Sequence, residues 1–202
     1  MALRRIKLSC QSFQRFGALF EMPKSPPIEF STDRLLLRAA RAEHAAGVFM
    51  EYTGNSKASR FLTRGPHPAQ SRTEAVINAW GESNWTNSDR FVWSIIDRSS
   101  HRPIGLFLMF MEGDSAEIHY GLGPAFWGKG LATEAGLAVM RWVSEQSHLS
   151  SVHTTCAVAH DASRRVLEKI GLLRDQFVPE ALLMKATDAK LDGWSYVWRR
   201  TD

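Results

Sequence analysis

Residues 116–145 change their periodicity once, and that change limits the folds open to the chain. AEIHYGL alternates like a strand, with Glu117, His119 and Gly121 on one face and Ile118, Tyr120 and Leu122 on the other. GPAFWGKG follows, and from Leu131 the apolar residues recur at helical spacing: Leu131, Ala135, Ala138 and Trp142 form one stripe, with Glu134, Arg141 and Glu145 off it. A strand that passes through a glycine turn into an amphipathic helix needs a sheet for that helix to cover. The turn also exposes several N–H groups at the positive end of the helix dipole. Gly128 and Gly130 let phosphate oxygens approach without a Cβ in the way, Ala132 keeps the first helical turn slim, and Lys129 adds charge. The chemistry favours a diphosphate.

The turn nearly spells G-x-x-x-x-G-K-[ST], but Gly130 stands where a hydroxyl would bind magnesium, which argues against nucleotide hydrolysis. The preceding strand is the fourth in the chain, whereas a nucleotide-binding loop usually follows an early strand. A dinucleotide fingerprint fails too, because Gly121-x-Gly123 lacks its third glycine.

Elsewhere, strands are expected at 32–38, 91–97, 104–111, 151–158, 172–178 and 194–199, with helices at 41–52 and 69–84. A short helix capped by Asp161 would bury Ala162, Val166 and Ile170 and end at Gly171. The order β-α-α-β-β-β-α-β-α-β-β describes one α+β domain over residues 30–202. Residues 1–29 form a basic extension and a linker stiffened by Pro23, Pro26 and Pro27. The first 22 residues carry three Arg and one Lys before Glu21, as a leader, a poorly ordered tail or a stretch upstream of a true start at Met22 would.

With 202 residues, 44% hydrophobic and 23% charged, the chain has the composition of a soluble globular domain. A net charge of +4 suits an anionic ligand but is too small to argue for nucleic acid. Cys10 and Cys156 lie far apart and outside any metal spacing, so no metal and a reducing, cytoplasmic compartment are expected. No apolar run reaches the ~20 residues of a membrane span, so no membrane partner is expected.

Trp127-Gly128-Lys129-Gly130-Leu131-Ala132-Thr133-Glu134-Ala135 resembles the pyrophosphate loop of the GNAT acetyltransferases, in particular the branch that acetylates the N-termini of ribosomal proteins. TDRLLLR at 32–38 resembles that branch's opening strand, and SRRVLEKIG at 163–171 its later helix. The resemblance spans about residues 32–200. It implies a GNAT-like fold: a mostly antiparallel mixed sheet of about seven strands with helices on both faces. It also implies acetyl-CoA as co-substrate, held by Leu122, Trp127, Gly128, Lys129, Gly130, Leu131, Ala132, Thr133, His160 and Ser163. His160 replaces the Asn that contacts the pantetheine arm in the family, and Leu172 replaces a Phe. Leu167 stands where many members carry a Tyr as general acid, for which Ser163 is the suggested substitute.

The reading is an N-acetyltransferase whose acceptor, a protein N-terminus or a small-molecule amine, attacks acetyl-CoA directly in a ternary complex. Glu117 is the first choice for general base, directly or through water, and His119 the second. Ser163 is the candidate proton donor. Among the aromatics Tyr52, Phe61, Trp80, Trp85 and Trp93, the acceptor-site candidates are Trp93 and Phe61, joined by Trp194 near the last turn, with Asp192, Gly193, Glu180 and Asp188 as lesser ones. The sequence has no acidic cluster to suit a polycationic antibiotic. A non-catalytic acyl-CoA-binding module is the alternative from another class. A nucleic-acid-associated protein rests on the basic pI of 9.3 alone. A monomer or homodimer is expected.

Overall fold

A computed structural model describes residues 25–185 and 187–201. The basic segment 1–22, Pro23 and Cys10 lie outside the described residues. Eight strands form one sheet in the order β1-β2-β3-β4-β5-β6-β8-β7. They are β1 (Glu29–Ser31), β2 (Leu35–Ala39), β3 (Arg90–Asp97), β4 (Arg102–Glu112), β5 (Ser115–Leu122), β6 (Ser151–Ala157), β7 (Leu173–Met184) and β8 (Ala189–Arg199). Every neighbouring pair is antiparallel except β5 and β6. The architecture is the expected α+β one, with β1 as an additional edge strand.

Pro26 and Pro27 belong to the folded domain rather than to a linker. Their carbonyls accept hydrogen bonds from the indoles of Trp85 (2.8 Å) and Trp93 (2.9 Å). These ties bring the chain into register for β1, where Phe30 packs on Trp93.

The helical stretch expected at 41–52 is broken into a 3-10 turn (Ala42–His44), the short helix α1 (Ala45–Val48) and a π turn (Phe49–Thr53). Such π turns tend to mark functional positions. This one seats Tyr52 and Thr53 inside, with Val48 and Ile77. Helix α2 (Gln70–Trp80) buries Thr73 and Ile77 and ends before a 3-10 turn at Glu82–Asn87. α1 and α2 cover one face of the sheet, over Val92 and Leu106.

Helices α3 (Leu131–Glu145) and α4 (Asp161–Lys169) cover the other face. The buried stripe of α3 is Leu131, Ala135, Val139 and Val143, with Gly136 and Met140 beside it; Ala138 and Trp142 lie on its border. Gly136 provides the close approach to α4, because a Cβ there would meet Ile170 at 2.9 Å. In α4 the anchors are Leu167 and Ile170, whereas Ala162 is exposed and Val166 half-buried. Arg200 caps the C-terminus of α3: its guanidinium donates to the carbonyls of Val143, Ser144, Gln146 and Leu149, satisfying groups that the helix leaves open. Among the described residues no helix is long and apolar enough to cross a membrane.

Beneath the π turn lies a polar chain. His67 Nδ1 is 2.9 Å from the Thr73 hydroxyl, which is 2.7 Å from that of Thr53. Burial, reinforced by Arg64 and Arg72, lowers the His67 pKa to about 4. The unfolded imidazole titrates near ~6.5, so the stability held by neutral His67 is fully present above that pH and is lost as pH falls towards the folded value. His44 and His160 are shifted the same way, again by burial. We expect the parent to lose about 2 kcal/mol through His67 between about pH 7 and about pH 5. In denaturant melts at the two pH values, His67→Asn should be clearly flatter. An unchanged slope would show that His67 is not the titrating group.

Candidate active site

The parallel pair β5–β6 lasts three residues: Ser115, Ala116 and Glu117 face Ser151, Val152 and His153. β5 runs on to Leu122 alongside β4, and β6 runs on to Ala157 alongside β8, but the two no longer pair with each other. Two adjoining cavities occupy the gap.

The larger, of about 740 Å³, lies between Tyr120–Leu122, the turn before α3 and the start of α4. Gly128 (φ +73°) and Gly130 (φ +76°) are both left-handed, and a Cβ on Gly128 would stand in open space. Among the described residues, the backbone N–H groups of residues 128–133 have no acceptor, whereas Glu134 donates to the Gly130 carbonyl and begins the helical ladder. The result is a row of free donors at a helix N-terminus, an anion cradle. Lys57, Arg60, Arg165 and Lys169 line the same cavity against one acid, Asp161.

The turn is tied down from two sides. The Trp127 indole donates to the Leu122 carbonyl at 2.8 Å. Arg34, at the entry to β2, donates to the Lys129 carbonyl (2.9 Å) and pairs with Glu134 (2.5 Å). Glu134 also accepts from the Thr32 hydroxyl (2.6 Å) and from the Arg34 amide (2.9 Å). Burial opposes the charge on Glu134, but these bonds outweigh it and the carboxyl titrates below its ordinary value.

The smaller cavity, of about 520 Å³, opens towards α1 and α2. Its walls include Tyr52, Phe61, Arg64, Trp80, Phe110, Glu117 and His119, and Ala181 and Leu182 from β7 close one side. Gly121 makes room for Tyr52, whose hydroxyl would lie 2.2 Å from any Cβ there. His119 Nε2 stands 3.2 Å from Glu117 Oε1, and that contact holds the carboxyl below its usual range despite partial burial.

Tyr120, Phe61, His160 and Ser163 border both cavities. The Tyr120 hydroxyl lies 2.9 Å from Ser163 Oγ and donates to the Ser163 carbonyl at 3.1 Å. Burial pushes the phenol pKa well up, against the Ser163 bond. It stays protonated, able to donate. His160 stacks on Phe61 with ring centroids 4.4 Å apart, and burial keeps its imidazole below the ordinary value.

Most of the residues singled out in the sequence therefore meet here: Leu122, Trp127, Gly128, Gly130, Leu131, Ala132, Thr133, His160 and Ser163 around the larger cavity, and Glu117, His119 and Phe61 around the smaller. Three do not. Trp93 is wholly buried between Trp85, Phe91 and Phe107, so it packs the core and cannot meet an acceptor. Trp194 sits beneath Arg174 and against Phe177, outside both cavities. Lys129 lays its ammonium over Phe126 and contributes its carbonyl to the turn. Asp192 accepts from the Glu180 amide, and Glu180 pairs with Lys190, away from the cavities. Sequence reading missed the Tyr120 hydroxyl and the cations Lys57, Arg60, Arg165 and Lys169, which only the fold brings together.

The acetyltransferase (GNAT) domain profile matches residues 34–173. The chain belongs to the GNAT acetyltransferase family. It is 26% identical over 157 residues to the uncharacterised N-acetyltransferase YnaD of Bacillus subtilis, covering 77% of this chain and 88% of that one. The putative ribosomal N-acetyltransferase YdaF of the same organism is 26% identical over 140 residues, 69% of this chain and 76% of that one. A GNAT-family acetyltransferase from Bacillus anthracis superposes with a TM-score of 0.73 at 21% identity, over 85% of this chain and 98% of that one. The eight-stranded sheet with helices on both faces is thus the GNAT fold, and the chain is an acyltransferase.

If the Arg34–Glu134 tie holds the turn in shape, Glu134→Ala should loosen it. We expect a KM for acetyl-CoA raised about tenfold, the effect of losing roughly 1.5 kcal/mol of charged hydrogen bonding, with a modest fall in thermal stability. Steady-state kinetics and a melting curve check this. An unchanged KM would mean that the loop keeps its shape without Arg34.

Proposed function

We propose that this GNAT acetyltransferase moves the acetyl group of acetyl-CoA to a primary amine in a ternary complex. The observation that carries the reading is the junction of a cationic, glycine-lined cavity with an aromatic cavity that holds a base pair of residues. The free N–H groups of residues 128–133 suit the diphosphate, and Lys57, Arg60, Arg165 and Lys169 suit the remaining phosphate charge. Bound there, acetyl-CoA supplies an acetyl thioester.

Alternation along β5 divides the chemistry. His119 and Glu117 face the α1–α2 side, and Tyr120 faces the α4 side with Ser163. The lowered pKa of Glu117 makes it a poor base and a good anchor, so His119 takes the amine proton and Glu117 orients and charge-balances the imidazolium. This reverses the order of preference that the sequence suggested. Tyr120, its hydroxyl on Ser163, gives a proton to the departing sulfur and fills the place left by Leu167, which is buried. The acceptor is a protein N-terminus, as the name of YdaF suggests for that relative, or a small amine. An α-amine titrates near ~8 and a lysine near ~10.4, so an α-amine is easier to deprotonate by roughly 3 kcal/mol. The free Cys156 thiol suits a reducing, cytoplasmic setting.

Calorimetry with acetyl-CoA tests the first half: the parent should bind and Gly128→Glu should not. Thiol release with a panel of amines tests the second. His119→Ala should lower kcat about a hundredfold. Glu117→Gln should lower kcat, because the imidazolium loses its counter-ion. Tyr120→Phe should lower kcat with KM for acetyl-CoA nearly unchanged. Full activity in Tyr120→Phe would return the acid role to Ser163 or to water.

A further inference from the structure

The smaller cavity contains a charge that the transfer chemistry does not use. Arg64 lines it and does not line the larger one. Its Nη1 donates to the Gly65 carbonyl (2.7 Å) and, at longer range, to that of Thr53 (3.4 Å). Its Nη2 is buried and has no hydrogen-bond partner. Among the described residues, no carboxylate forms an ion pair with it. That nitrogen is closed off by its neighbours, but the side chain as a whole is half-buried at the cavity wall, a guanidinium without an ion-pair partner beside aromatic rings, where an anion is favoured.

The fold holds this group in place rather than tolerating it as a stray. The Thr53 carbonyl that accepts from Arg64 also accepts from the His67 amide at 2.7 Å, and the His67–Thr73–Thr53 chain packs behind it. The Arg64 Cζ lies 5.2 Å from the centroid of the Tyr52 ring. Tyr52 in turn rests on Gly121, which shares a face of β5 with His119 and Glu117. Arg64 and the His119–Glu117 pair therefore border one cavity at separate places.

We propose that the acceptor is a zwitterionic small molecule, an amine that also carries a carboxylate, whose carboxylate pairs with Arg64 while its amine meets His119 and Glu117. The cavity carries one fixed positive group and one fixed negative group at separate places, complementary to such a dipolar molecule. Its aromatic walls, Tyr52, Phe61, Trp80 and Phe110, fit an apolar or aromatic body between the two charged ends. A volume of about 520 Å³ holds one molecule of that size. A polycation is disfavoured, because Arg64 would repel it. The inference deepens the acetyl-transfer reading and rests on it for the role of the amine, while the anion subsite is testable alone.

The probe is benzoate, compared with the neutral benzyl alcohol, titrated into the full-length protein with saturating coenzyme A to occupy the phosphate cradle, and repeated without it. Binding is read from tryptophan fluorescence, with Trp80 in the cavity wall, and from ligand-detected NMR. Benzoate should bind the parent at least tenfold more tightly than benzyl alcohol. Arg64→Met should abolish that preference and Arg64→Lys should restore part of it, with thermal melts confirming that both variants are folded. In the transfer assay, 4-(aminomethyl)benzoate should be acetylated with a kcat/KM at least tenfold above that of 4-(aminomethyl)benzamide, and Arg64→Met should raise KM for the first and leave the second unchanged. Equal affinity of the parent for benzoate and benzyl alcohol overturns the anion subsite, as does an undiminished preference in Arg64→Met. Failure to bind coenzyme A, with the benzoate preference intact, would instead sink the transferase reading and leave the subsite standing.

Discussion

The pairing of β5 with β6 ends after three residues, and every functional feature of the molecule depends on that ending. Past Glu117 and His153 the backbone edge of β5 has no partner strand. An unpaired edge inside a sheet is costly unless something else meets it. What stands in the gap is not solvent-filled disorder but two lined cavities, and the side chains that line them come from both separated strands. Because β5 is still a strand, successive residues project to opposite sides. One short stretch therefore sends a histidine–glutamate pair one way and a phenol the other, while its main chain passes between. A reaction that must take a proton from one partner and give one to the other is served by that alternation without a flexible element.

The gap is kept open by groups remote from it in sequence. The turn before α3 contains two left-handed glycines and a row of unsatisfied amides, an arrangement with little internal stability. Its shape comes from Trp127 on Leu122 at one end and from Arg34, Thr32 and Glu134 at the other. Glu134 combines two roles: it sits in the first turn of α3, where a negative charge is favourable, and it holds the arginine that clamps the turn. The opening strand and the glycine turn are thus one mechanical unit.

The glycine turn into α3 is legible in the sequence because glycine, helix start and apolar stripe are local signals within a few residues of each other. It misplaces the stripe by one step, to Ala138 and Trp142 instead of Val139 and Val143, because α3 packs against both the sheet and α4. A helix covered on two sides has a broad apolar arc, and spacing alone does not choose its centre. Trp93 and Phe61 are alike in a sequence, as large aromatics near the middle of the chain. Only the sheet shows that Trp93 faces the tryptophan-rich core while Phe61 stacks on His160 in the gap. Tyr120 was missed for a different reason: the expected acid belongs on α4, and here the hydroxyl reaches Ser163 of that helix from the facing strand. The cations at Lys57, Arg60, Arg165 and Lys169 come from two separate segments, a distance that no local pattern can bridge.

The two cavities also differ in how they treat charge, and the difference has a physical basis. The larger is open and lined with several flexible cations, which suits a polyanion that keeps part of its hydration. The smaller is walled with aromatic rings and holds its charges singly, each fixed by neighbours: Glu117 by His119, and Arg64 by two carbonyls and the face of Tyr52. In a less polar surrounding each fixed charge acts more strongly on a ligand, and a mismatch costs more. On the proposed reading, selectivity for the acceptor comes from the smaller cavity, through the cost of leaving Arg64 or Glu117 unanswered. An amine with no anionic group would answer Glu117 and leave Arg64 without an ion pair. The proposed zwitterion would satisfy both at once, its carboxylate at the guanidinium and its amine beside the imidazole.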